Sequence, residues 1–180
     1  MNSQYYEVQW QKIEKARRDL FATLDKLSEE TLNTKPAENE WSQIQVLYHL
    51  LYTEELSRQY ISKKLHNPLS IPSPSFKTRI KLGMLTLALR SPIKFKAPPI
   101  VSALPPYASW SETKERWDKN RKELSLLLSN ISDEMGLQAI FKHPIAGYLN
   151  LPQMLVFFYE HWQHHEKQIK RVQQKIGIDT

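Results

Sequence analysis

Apolar residues recur every three or four positions over four long stretches of the chain, and each stretch predicts a helix with one face toward a core. The first runs from about Gln4 to Leu27, with Trp10, Ile13, Leu20, Leu24 and Leu27 on one stripe and Arg17 as its one polar member. The second, from about Glu40 to Leu65, is apolar on several sides in its first turns (Trp41, Ile44, Val46, Leu47, Leu50, Leu51), which predicts burial all round. His49 sits in the middle of that apolar run. The third runs from about Trp110 to Ile131 on a stripe of Trp110, Trp117, Leu124, Leu127, Leu128 and Ile131. Ser109 and Glu112 fit a capping box at its start, each side chain satisfying an otherwise unpaired backbone N–H. The fourth starts near Pro152, a residue suited to a first helical turn, and continues to about Ile176, where Gly177 marks a stop. Its stripe is Leu151, Leu155, Phe158, Trp162, His165, Ile169, Val172 and Ile176, so a histidine occupies a core-facing position.

Between these stretches the chain changes character. Ser28 to Asn39 is polar, holds Pro36 and reads as a connection. His66 to Tyr107 holds 8 of the 11 prolines, although Phe76 to Leu89 lacks proline and predicts a short amphipathic helix. A connection that long is uncommon in a compact domain and is often functional. In a bundle it can also cross over, so that the second and third helices run parallel. His143 to Gly147 reads as another loop. A length of 180 residues fits one domain spanning 1–180.

Composition narrows the chemistry. Hydrophobic residues at 41% and charged residues at 24% allow a packed core, and the absence of cysteine restricts any metal site to His, Asp or Glu. The first residues carry no apolar signal-like run. The longest mainly apolar stretch, Leu82 to Leu89, is far short of the roughly 20 residues of a spanning helix. A cytoplasmic protein is the expectation. The net charge of +6 is unevenly placed: Leu56 to Ser111 contains no Asp or Glu and carries +9, leaving −3 for the rest. These cations are spread through a proline-rich stretch with no helix-turn-helix or zinc-finger pattern, so nucleic acid is not an expected partner. Membrane contact by Phe76 to Arg90 competes with plain packing of that helix over the bundle, its cations solvated; the packing reading is preferred, and no membrane partner is expected. The acid-free segment is expected to cover one end of the bundle or part of a site's entrance.

The candidate chemistry lies in histidines. His161 and His165 are four residues apart, which in a helix sets both on one face with Cβ atoms about 5–6 Å apart. That spacing lets two imidazoles meet one metal ion, and their shared face points inward. His49 enters from the buried half of another helix. Two readings stay open at this point: a metal site, or hydrogen-bonded core histidines of an ordinary kind, because an HxxxH pair alone is a weak signal. His164 falls beside the stripe and reads as solvated; His66 and His143 fall in loops and are poor ligand candidates.

A resemblance separates these readings. Trp41-Ser42 followed by His49-Leu50 and Glu54 is similar to the "WS…HL…E" motif of the DinB superfamily. His143-Pro144-Ile145-Ala146-Gly147-Tyr148-Leu149-Asn150-Leu151 resembles its "HPxxGxLxL" motif, and His161 to Ile169 its closing "HxxxHxxQI" motif. The three occur in the family's order over almost the whole chain. The resemblance implies an all-α four-helix bundle of up-down-down-up topology. It also implies a divalent transition metal (Zn, Ni or Fe) held by His49, His161 and His165. The family includes S-transferases that use bacillithiol, mycothiol or glutathione, and proteins described as metal-dependent hydrolases. The activities it implies are therefore transfer of a small-molecule thiol to an electrophile or metal-dependent hydrolysis, with a non-catalytic metal-binding or stress-response module as the remaining reading. A homodimer is plausible by the same resemblance. Glu54 and Gln168, a turn or so from ligands, are candidates to orient them.

Overall fold

The computed structural model describes residues 3–67, 71–72, 76–91, 99–102 and 104–178, with the side chains of 3–5 and 99–100 left aside. The elements are α1 (Ser3–Leu24), α2 (Glu29–Asn33), α3 (Gln43–Leu65), α4 (Phe76–Arg90), α5 (Pro99–Ser102), α6 (Trp110–Ser129), α7 (Asp133–Gly136), the strands β1 (Phe141–His143) and β2 (Gly147–Leu149), and α8 (Leu151–Lys175). The four long helices α1, α3, α6 and α8 match the four periodic stretches, and α4 matches the proline-free piece of the long connection. The prolines Pro68, Pro74, Pro92 and Pro98 lie outside the described residues.

Side-chain pairs fix the helix directions. Between α3 and α6, Tyr48 meets Arg116, Glu54 meets Trp117 and Arg58 meets Glu123, so positions rise together and the helices run parallel. Between α1 and α6 the order reverses: Asp25 meets Trp110, Arg17 meets Asp118 and Glu14 meets Arg121. It reverses again between α3 and α8, where Gln43 meets Gln173 and His49 meets His165. The bundle is therefore up-down-down-up, and the acid-free connection makes the crossover that lets α3 and α6 point the same way. Trp117 and Trp162, both fully buried, pack edge to face at 5.4 Å in its centre. The contact joins α6 to α8 and excludes water from the middle of the molecule.

Helix starts follow local chemistry, with one exception. Capping boxes open α3 (Ser42 with Gln45) and α8 (Asn150 with Gln153, followed by Pro152). The box expected at Ser109 and Glu112 does not form: Ser109 makes no capping bond of its own, and its hydroxyl donates to Glu29 at 3.4 Å. Glu29, on α2, accepts the Trp110 N–H at 3.2 Å, so a carboxylate from a distant helix serves the orphan donor. The polar connection after α1 thus contains α2, capped by Ser28 and anchored by the buried Leu32. The loop expected at His143 to Gly147 is the turn of a β1–β2 hairpin, pairing Phe141 with Leu149 and His143 with Gly147. Gly147 takes φ +84°, a conformation glycine reaches without the steric cost of a side chain.

Candidate metal centre

Three imidazoles meet where α3 faces α8. His161 and His165 stand one turn apart on α8, and His49 reaches them from α3, with its ring 4.8 Å from that of His165. The Nε2 atoms of His49 and His161 are 3.4 Å apart, those of His165 and His161 are 3.0 Å apart, and one nitrogen from each ring lies within 4.8 Å of the others. Two nitrogens bound tetrahedrally at 2.0–2.1 Å from one ion would sit about 3.3 Å apart. The cluster has that scale.

The proton positions follow from the outer partners. His49 Nδ1 lies 2.9 Å from the Val101 carbonyl, which can only accept, so Nδ1 carries the proton and Nε2 a lone pair. His165 Nδ1 lies 2.8 Å from the Gln168 amide oxygen, which gives the same tautomer. Two lone pairs therefore aim at His161, whose single Nε2 can donate to one of them at most. A cation at the centre satisfies all three nitrogens; no arrangement of neutral imidazole protons does. Burial holds His49 below its usual pKa. It holds His161 and His165 well below, and the neighbouring histidines add to the effect. Neutral imidazole is the form that binds a metal.

Local packing holds the rings in place. Trp41, just before the Ser42 cap, lies 5.2 Å from the His49 ring, and Phe157 stacks on His161 at 5.1 Å. Part of the acid-free segment lies over this end: α5 sets the Val101 carbonyl on His49, and the Pro105 carbonyl accepts from Gln45 at 2.9 Å. An open-sided cavity of about 290 Å³ lies on the other flank of α8, lined by Leu89, Arg90, Glu160 and His164 among others.

The remaining candidates divide. Gln168 stands against His165 as its position three residues on allows. Glu54 does not orient a ligand: five residues turn a helix by about 140° from His49, which carries Glu54 round to α6. There it accepts from Trp117 Nε1 at 3.1 Å and pairs with Arg121. Burial raises its pKa against the pull of Arg121. His164 is half-buried, not solvated, and donates to the Leu89 carbonyl at 2.8 Å, tying α8 to α4. His143 is buried on β1; its Nδ1 accepts the N–H groups of Ile145 and Ala146, and burial lowers its pKa to about 4. His66 is exposed and bonds within its own helix end, to the Ser62 carbonyl. The contribution of Val101 had no signal in the sequence.

The sequence model of the DinB superfamily matches residues 12–169, which takes in all three histidines. The chain belongs to the DinB superfamily. Among its relatives is YuaE, an uncharacterised protein of Bacillus subtilis (strain 168), 26% identical over 162 residues that cover 89% of this chain and 94% of YuaE. Among solved structures it is similar to YfiT from Bacillus subtilis, with a TM-score of 0.64, 16% identity, and coverage of 99% of this chain and 91% of YfiT. YfiT is described as a probable metal-dependent hydrolase with an unusual four-helix bundle topology. At that identity the likeness to YfiT is one of fold. No helix among the described residues of this DinB-superfamily chain is long and apolar enough to cross a membrane.

Proposed function

We propose that this protein is a metal-dependent enzyme in which His49, His161 and His165 hold one divalent transition metal ion, and that it joins a low-molecular-weight thiol to an electrophilic small molecule. The observation that carries the reading is the convergence of two tautomer-fixed Nε2 lone pairs on a third imidazole. Three protein ligands leave a coordination position open, as catalytic and not structural sites do. A bound ion would supply the positive charge that favours the anionic form of a nucleophile at neutral pH. The protein's part is positional. Val101 and Gln168 keep both lone pairs directed inward, Trp41 and Phe157 keep bulk water off the rings, and the half-buried His161 marks the more open side.

The thiol is favoured over water because the carboxylates close to the ligands in sequence are turned to other partners. Glu54 is paired with Arg121, Glu160 with Arg90 and Glu166 with Lys170, so none of these is held ready to take a proton from water. A thiol, with a pKa near 8.5, gives up its proton far more readily than water does. Hydrolysis is the second reading, and the description of YfiT favours it. Elemental analysis of the purified protein, joined to assays with and without bacillithiol or glutathione, tests both. The expected result is one ion per chain and electrophile consumption that requires thiol. Metal-dependent turnover without thiol would select hydrolysis, and a protein that binds no divalent ion would end both.

A further inference from the structure

The helix α4 has two apolar faces, and the bundle uses one. Thr78, Leu82, Leu85 and Leu89 are buried, and α4 packs on α8. On the opposite side Phe76, Ile80, Met84 and Leu87 are 72%, 52%, 63% and 72% exposed. At about 100° per residue the buried and exposed stripes are centred about 180° apart, and the exposed one runs for about 16 Å. The cations are not scattered around it. Lys77 and Lys81 fall along one edge of the exposed stripe and Arg79 along the other, all three exposed; Arg90, on the same edge as Arg79, is paired with Glu160. The hairpin turn adjoins the start of this helix, with Gly147 near Thr78, and it adds the exposed Ile145.

We propose that α4 docks the protein on an anionic membrane surface, with Phe76, Ile80, Met84 and Leu87 entering the interface and the flanking Lys77, Lys81 and Arg79 side chains meeting lipid phosphates. An apolar stripe bordered by cations on both edges is the arrangement of helices that lie in the plane of a bilayer interface. A second copy of the chain fits the stripe poorly. The surrounding segment from Leu56 to Ser111 contains no acidic residue, so two such faces would bring cation against cation. The packing of α4 over the bundle and its membrane contact are therefore compatible, because they use different faces.

The test is co-sedimentation of the full chain with vesicles of pure phosphatidylcholine and with vesicles containing phosphatidylglycerol, at low and high salt. Binding is expected only to the anionic vesicles, and weaker at high salt. Met84→Glu with Leu87→Glu is expected to abolish it. Lys77→Gln with Lys81→Gln, at exposed positions that leave the fold alone, is expected to weaken partition roughly thirty-fold, since each cation near such a surface contributes about fivefold. Circular dichroism and light scattering on the same proteins complete the result. Failure of the wild-type chain to bind anionic vesicles would overturn the proposal, as would equal binding to both vesicle types. So would a folded dimer that the Met84→Glu/Leu87→Glu chain turns into a monomer while vesicle binding persists. None of these outcomes depends on the metal or on the proposed reaction.

Discussion

The bundle buries two polar clusters, and they differ in whether their charges close on themselves. On the α1–α6 side, charges alternate from the interior outward: Glu54 pairs with Arg121, Arg121 with Glu14, Glu14 with Arg17 and Arg17 with Asp118. Arg121 also lies over the Trp10 ring at 4.8 Å. Each ion has an opposite neighbour, so the charges balance within the cluster, although the Arg17 Nε and Arg121 Nε N–H groups have no hydrogen-bond partner. On the α3–α8 side, three neutral imidazoles converge with more acceptors than donors. A buried polar group without a partner is costly, and a chain that tolerates such a cluster has a use for its unspent valence. Both clusters hold buried polar side chains, Glu54, Arg121 and Arg17 in one and His49 and His165 in the other. Only the balance of donors, acceptors and charge separates a strut from a site.

The sharpest way to break that contrast is His165→Ala. It removes one of the three proposed ligands and no piece of the ion network. Bound metal is expected to fall from one per chain to none by elemental analysis, with far-UV circular dichroism nearly unchanged. A variant that keeps stoichiometric metal would place the ion elsewhere. The complementary change is Arg121→Met, which leaves the buried Glu54 without its cation. Breaking such a pair costs about 3–5 kcal/mol, read as a lower urea midpoint, while the folded fraction keeps its metal. A loss under about 1 kcal/mol would show that the network is not a strut.

The long helices were legible because each repeats its apolar stripe over several turns, and the DinB resemblance added their order. Gln168 was legible because three residues along a helix set it beside His165. Glu54 was misplaced because a motif records spacing along the chain and not angle around the helix. The Ser109 cap failed for a different reason: Glu29, 80 residues away, competes for its hydroxyl and takes the Trp110 N–H. Distance in sequence also hid Val101, which meets His49 across 52 residues from within a proline-rich connection. The hairpin left no period-two signal, since each strand has 3 residues.

His143 sharpens the contrast through pH. It is buried and neutral, yet it spends its Nδ1 on two backbone N–H groups, so it belongs with the closed cluster. Its pKa is about 4 in the folded protein, below the ordinary 6.5. Between those values the unfolded chain binds a proton that the folded chain does not, so stability falls as pH falls through 6.5 and goes on falling toward 4. The loss from this group is at most about 3–4 kcal/mol, at 1.36 kcal/mol per unit over the drop from 6.5 to about 4. His143→Asn, which keeps an acceptor near the Nδ1 position, is expected to flatten the slope of metal-free stability between pH 6.5 and 4. An unchanged slope would mean that His143 is not the group being titrated.

The smallest expected effect is at Gln168, and it asks how much of the open cluster is set by its surroundings. The amide oxygen fixes the proton on His165 Nδ1 and so directs the Nε2 lone pair toward His49 and His161. In Gln168→Ala the ring loses that partner, either tautomer becomes accessible, and one of the two presents a proton to the centre. Partners of this kind are worth about 10–100-fold in metal affinity, and a loss in that range is expected in competition titrations against a chelator. Gln168→Glu keeps an acceptor at the same reach and adds negative charge behind the imidazole, which should restore binding to at least the wild-type level. Helicity and the urea midpoint of the metal-free protein should stay within about 0.5 kcal/mol in both, because the half-buried Gln168 fills no core space. If alanine and glutamate weaken the ion equally, the amide acts by packing alone, and the inward lone pair of His165 is set by something other than its hydrogen bond.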